Sequence, residues 1–189
     1  MRVDRNSPES TTLSGMNDQF PGFKDPVHRA ADGRLLDRLI DGVCVRDRPA
    51  IVTRNGVTAE LFSAGWAMPT AAMQHAIYVT LKPNAISAWH RHEAQTDHIA
   101  VVEGMIKLVL FDPRSESATR GQVDVLFLGA ARPSLVAVPP GLWHGIANML
   151  PHACSSFVNL FDRPYRHEDP DEWRLPVDND VIPYRFEHE

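Results

Sequence analysis

The sequence predicts an all-β fold, a double-stranded β-helix or jelly roll closed around a pocket. It is flanked by an irregular N-terminal arm, one short helix and an extended C-terminal tail. Three observations predict it. Between Ile51 and Phe161, short runs rich in Val, Ile, Phe and Thr recur, each bounded by Gly, Pro, Asp or Asn, the pattern of strands joined by turns. No helical periodicity interrupts them, which argues against alternating strands and helices. About eight or nine such strands are best stored in two sheets that hide each other's edges.

Taken in order, residues 1–50 read as an arm rich in Ser, Thr, Asn, Asp, Gly and Pro that ends in a short helix. Leu35, Leu36, Leu39 and Ile40 have helical spacing, and Gly42 is its stop. Residues 51–162 form the barrel. Asn55-Gly56 is a hairpin signal between IVTR and VTAELF, and residues 76–81 form the next strand. The segment 89–104, WHRHEAQTDHIAVVEG, reads as strand, strand and a tight turn at Glu103-Gly104. Further strands are expected over 106–112, 123–129, 134–139 and 155–161. Residues 163–189, with four prolines, read as an extended acidic tail that packs on the barrel.

Composition sets limits on function. The chain has 189 residues, 43% of them hydrophobic, and a net charge of −5. Its length suffices for one real core. The negative excess lies in residues 162–189, which carry nine acidic and four basic side chains, so the body is balanced and a nucleic-acid partner is not expected. No apolar run reaches membrane-spanning length, and residues 1–15 lack the apolar core of a secretory signal. A cytoplasmic location with no membrane partner is the expectation. Cys44 and Cys154 are the only cysteines; they are far apart and favour neither a disulfide framework nor a thiolate zinc site.

The chemistry concentrates in two stretches. His90 and His92 are two residues apart on a predicted strand, so both side chains point to one face, about 6.6 Å apart at the backbone. Two imidazoles at that spacing can converge on one ion or substrate if the face looks inward. The second stretch, residues 138–148 (VPPGLWHGIAN), has a Pro-Gly turn followed by His144 and Asn148.

Together these stretches resemble the paired motifs of the cupin superfamily. The first motif falls on His90, His92, Asp97 and Gly104, and the second on Pro139, Gly141, His144 and Asn148, with Asp97 where Glu is usual and Pro133 where Gly would begin the second. The order Asp112, Arg114, Ser117, Thr119, Gly121 is similar to the dTDP-4-dehydrorhamnose 3,5-epimerase branch, with likeness over roughly residues 77–165 and an echo at Pro183-Tyr184. The branch's Arg-Gly-x-His segment is replaced by Ala88-Trp89-His90-Arg91-His92. Its diphosphate-binding Lys falls on Asp97, and its Tyr general acid on Phe157. The His-x-His pair is closer to the dTDP-sugar 3,4-ketoisomerases.

The resemblance implies a homodimer and, for the site, His90 or His92 as a proton shuttle beside a sugar carbonyl. Tyr78 is the sequence candidate for a general acid. His90, His92, Asp97 and His144 would form a shell for a divalent ion, and mixed N/O ligation suits Fe, Mn, Ni, Cu or Zn. Arg114 and Arg120 would hold the diphosphate of a dTDP-linked keto-sugar, and Trp89 and Trp143 would stack on its base or sugar. Each has a plainer alternative: solvated strand or loop residues for the histidines and arginines, a turn residue for Asp97, core packing for the tryptophans. His98, of opposite parity to Asp97, is expected to have a structural or surface role rather than to ligate. Three function classes stay open: a keto-sugar nucleotide epimerase or isomerase, a metal-dependent dioxygenase or lyase, and a non-catalytic small-ligand binder.

Overall fold

A computed structural model describes residues 39–68 and 71–187. These residues belong to the compact unit Leu39–Glu189; the unit Met1–Arg38 lies outside them. Twelve strands follow one another: β1 (Cys44–Asp47), β2 (Ala50–Thr53), β3 (Gly56–Ala59), β4 (His75–Leu81), β5 (Ile86–Arg91), β6 (Asp97–Glu103), β7 (Met105–Phe111), β8 (Val123–Gly129), β9 (Ser134–Val138), β10 (Trp143–Asn148), β11 (Ser155–Phe161) and β12 (Trp173–Arg174). One sheet has the order β1-β9-β6-β11-β4 and the other β12-β5-β10-β7-β8. From β4 to β12 the chain crosses between the two sheets at nearly every step, which makes the expected jelly roll.

The core lies between the sheets. Ile106, Leu108 and Leu110 of β7 meet Ile99 and Val101 of β6, Val136 and Val138 of β9 and Phe157 of β11, all buried. β7 is also covered on its outer face. There Val109 and Phe111 pack with Trp89, Trp143 and Ile182, under Leu175, Tyr184 and Phe186 of the tail. That double covering is why Leu108 to Phe111 reads as a continuous apolar run rather than an alternating one. The tail therefore packs on the barrel as expected, and β12 adds to its sheet beside β5.

The Glu103-Gly104 turn joins β6 to β7 as expected. Gly104 has φ +74°, and a Cβ there would lie 2.3 Å from Ser155 Oγ, so both the conformation and the space call for glycine. Asn148 closes the end of β10: its Nδ2 donates to Lys82 O (2.9 Å) and Ala153 O (2.8 Å), and its Oδ1 accepts from Leu150 N (3.0 Å) and Ser155 Oγ (2.6 Å). The motif asparagine is a structural clamp.

One local expectation falls partly outside the described residues and another is corrected. The helix over Leu35–Gly42 falls partly outside the described residues, and its described end is a turn. There Val43 N donates to Ile40 O and buried Ile40 donates its N–H to Asp124 Oδ2 at 2.7 Å. The hairpin turn is centred on Arg54-Asn55, because Thr53 pairs with Gly56. Strand β1 was not read from the sequence. It pairs with β9, while among the described residues β2 and β3 pair only with each other.

Candidate active site

The sheets enclose a cavity of about 830 Å³. One wall comes from β5 and β10. Ser87, His90 and His92 line it from the first strand and its end, and His144 and Ile146 from the second. Ser87 and His90 are three apart, which regular alternation would put on opposite faces. The pairing shifts register there, from His144↔His90 to Ile146↔Ser87, and so returns both to the cavity. The His90 and His144 rings stack 5.6 Å apart, and His92 and His144 are also 5.6 Å apart. The inward reading of these histidines is therefore correct.

Across the cavity, the odd-numbered positions of β4, β6 and β11 supply Asp97 and Asn159 among apolar side chains, including Phe157. Asp97 is 2% exposed. Its Oδ2 lies 3.3 Å from His144 Nε2 and 3.5 Å from His92 Nε2. Gln95 Nε2 donates to Oδ1 at 2.8 Å and Asn159 Nδ2 to Oδ2 at 3.0 Å. Burial works to raise the Asp97 carboxyl, but His144 and His92 outweigh it and hold it well below the usual carboxylate range. For His92, burial favours the neutral ring, yet the Asp97 contact, aided by Asp171, pushes it up to about 8.

The tail completes the site. His92 Nδ1 donates to the Asp171 carbonyl, and the Asp171 carboxylate accepts from the backbone N–H groups of Glu93 (2.7 Å), Ala94 (2.8 Å) and Gln95 (3.0 Å). Glu172 Oε1 lies 3.4 Å from His90 Nδ1. On the other side of that ring, Arg174 Nη1 lies 3.2 Å and Ser87 Oγ 3.0 Å from His90 Nε2. Arginine can only donate, so Nε2 is the acceptor and Nδ1–H donates toward Glu172. Burial, then the charges of His144 and Arg174, lower His90 to about 4, against the opposing pull of Glu172.

His92, Asp97 and His144 each bring one donor atom to within 4.8 Å of the others. Two histidines and a carboxylate fit a divalent transition metal. His90, expected in the same shell, is not gathered with them: its Nε2 faces Ser87 and the cationic Arg174. His98 is buried off the cavity with Nδ1 3.1 Å from Leu160 O, the structural place its parity predicts.

Several expected site residues lie elsewhere. Tyr78 is 64% exposed and off the cavity, because His75, Ile77 and Val79 take the inner face of β4. Trp89 is fully buried in the outer cluster, with Nε1 donating to Val177 O at 3.3 Å. Trp143 belongs to the same cluster, with the Arg91 guanidinium over its ring at 5.4 Å. Arg114 is held by Asp112 through two bonds of 2.9 Å and donates to Asp41 O at 2.7 Å. Since Ser117 and Thr119 also donate to the buried Asp112, the Asp112–Gly121 segment is a structural knot. Arg120 is exposed on that loop and, like Arg114, does not line the cavity.

The arginines that do line it are Arg163, Arg166 and Arg174. Tyr165 lines it too, packed against His75 (6.3 Å) and His167 (4.8 Å). Sequence reading missed these residues and Glu172. Their only signal was a tail rich in charge and aromatics that had to cover something.

Comparison with known proteins agrees with the geometry. Residues 31–179 match the family model described as dTDP-4-dehydrorhamnose 3,5-epimerase. A probable low-salt glycan biosynthesis epimerase of Haloferax volcanii is 32% identical over 140 residues, 74% of this chain and 89% of that protein. The spore coat polysaccharide biosynthesis protein SpsL of Bacillus subtilis is 33% identical over 57% of this chain and 70% of its own length. Among solved structures, a dTDP sugar isomerase from Desulfovibrio desulfuricans superposes with a TM-score of 0.71 at 25% identity, covering 78% of this chain and 94% of that one. The fold also matches a Legionella pneumophila 3,5-epimerase in complex with dTDP-4-keto-L-rhamnose, with a TM-score of 0.63 at 19% identity over 74% and 75% of the two chains. A jelly roll whose pocket joins strand-borne histidines to a tail carboxylate, matched by a family model over most of its length, places this enzyme in the dTDP-4-dehydrorhamnose 3,5-epimerase family.

Proposed function

We propose that the enzyme epimerises or isomerises a 4-keto-6-deoxyhexose carried on dTDP, with His90 as the base. The observation that carries this reading is the His90–Glu172 pair on the wall of the cavity. Glu172 holds the Nδ1 proton and leaves Nε2 as the acceptor, the arrangement that a general base needs. In the free enzyme Arg174 occupies that lone pair; bound substrate takes its place. His90 then removes the proton next to the carbonyl, and the cationic His92, with a value of about 8, offsets the charge of the enolate. Arg163 and Arg166 at the cavity take the diphosphate role expected of Arg114 and Arg120, since a guanidinium matches phosphate oxygens in pairs.

His92, Asp97 and His144 are the residues that would hold a divalent ion in place of the His92 Nε2 proton, and such an ion would supply, as a Lewis acid, the oxyanion stabilisation that the imidazolium supplies without it. The same reading takes the enzyme as a homodimer. Among the described residues hairpin β2–β3 pairs only with itself and leaves Ile51, Val52 and Val57 64%, 81% and 67% exposed, an apolar surface suited to a second copy.

The test is incubation with dTDP-4-keto-6-deoxyglucose in deuterated water, followed by NMR. Deuterium is expected at a carbon next to the carbonyl, and His90→Ala is expected to slow its entry by about 100-fold or more. Absence of exchange and of binding with every dTDP-sugar tried overturns the reading in favour of another cupin chemistry.

A further inference from the structure

We propose that His75 is a second catalytic residue, the donor that returns a proton to the substrate face opposite His90; this rests on the epimerase or isomerase reading. Inverting a carbon next to a carbonyl needs a proton removed from one face and returned to the other. His90 serves only the wall formed by β5 and β10. On the opposite wall Ile77, Val79, Phe157 and Phe161 carry no transferable proton, Asn159 is a neutral amide, and Asp97 is held by His92 and His144. His75 is the remaining titratable side chain on that wall's strands among the described residues that line the cavity.

Register puts it at the right level. Phe161 pairs with Asp97 on one side and with His75 on the other, so Asp97, Phe161 and His75 form one transverse row with all three side chains facing the cavity. Asp97 touches His92 and His144, which fixes that row at the height of the histidine cluster. Two strand spacings place the His75 backbone about 10 Å from that of Asp97, room for a hexose ring between donor and cluster. The ring is oriented by stacking on Phe161, 5.5 Å away at 19°, with Tyr165 on its other neighbour side at 6.3 Å. No hydrogen bond ties its nitrogens to the protein among the described residues, which leaves them available to substrate.

The step balances without a co-reactant. His90 Nε2 takes the C–H proton, the electron pair forms the C=C bond of the enolate, and the carbonyl oxygen takes the charge. The enolate then collapses to the ketone as a ring N–H bond of the His75 imidazolium breaks and a new C–H bond forms on the opposite face. After product leaves, His90 gives its proton to solvent and His75 takes one from it, which restores both starting states.

The experiment separates removal of the proton from its return. With dTDP-4-keto-6-deoxyglucose in deuterated water, His75→Gln is expected to form inverted product about 100-fold more slowly than wild type, while deuterium exchange at the same carbon falls far less. His90→Ala should lose both. A His75→Gln enzyme that forms inverted product at the wild-type rate, or loses exchange and product in parallel as a structural defect would make it do, overturns the proposal. So does the same split appearing in Tyr165→Phe and not in His75→Gln, which would give the donor to the tyrosine. Wild-type enzyme showing neither exchange nor product removes the epimerase reading itself, and the proposal with it.

Discussion

At the scale of single residues, the site is governed by what lies beside each imidazole. His90 and His92 are two apart in sequence, yet one is lowered to about 4 and the other raised to about 8. His90 is buried and meets the guanidinium of Arg174, whereas His92 meets the carboxylate of Asp97. An acceptor and a charged partner are thereby available together near neutral pH. Burial and Arg174 together depress the lower limit of the working range. A base acts only when neutral, and removing a neighbouring cation makes protonation of His90 easier. Arg174→Met is therefore expected to move the acidic limb of the kcat/KM profile to higher pH, toward the ordinary histidine range. A profile unchanged below pH 7 would show that His90 is not the base.

Elements place these residues. Strand β10 carries His144 into the cavity and Trp143 away from it, so neighbours of one motif have unrelated roles. The same alternation on β4 sends His75 inward and Tyr78 outward. The β6–β7 turn holds the strand that bears Asp97 in register, and it does so through a glycine pressed on Ser155. Gly104→Ala combines a disfavoured φ with a contact that must shift. It is expected to destabilise the fold by about 1–3 kcal/mol, read as a lower denaturant midpoint. An unchanged midpoint would mean that the turn relaxes freely.

On the scale of the whole molecule, the tail and the hairpin extend beyond the barrel in different senses. The tail covers the outer aromatic cluster and delivers Asp171, Glu172 and Arg174 to the histidines. The hairpin is tied at its base by the buried Arg48 guanidinium, which donates to Glu60 O (2.9 Å) and Val101 O (3.1 Å), but its apolar face is open. Light scattering of the full chain is expected to give a dimer, and Val52→Asp to weaken it by placing a charge in the apolar contact. A monomer at micromolar concentration would overturn the dimer.

The sequence by itself pointed to the jelly roll, to the strands β4 to β9 and β11, and to His90, His92 and His144 facing inward. The strands follow from local rules, alternation and turn residues, and the inward face of the histidines from the paired motifs that resemble a known family. Only the tertiary structure decided the rest. Arg114 was captured by Asp112 and Trp89 by the outer cluster, because burial and a nearby countercharge outweigh any pattern of spacing. Glu172 and Arg174 reach His90 across more than eighty residues of chain, as β12 adds to the edge beside β5. Two residues of strand carry almost no sequence signal, since pairing with an existing edge, rather than intrinsic propensity, is what makes them a strand.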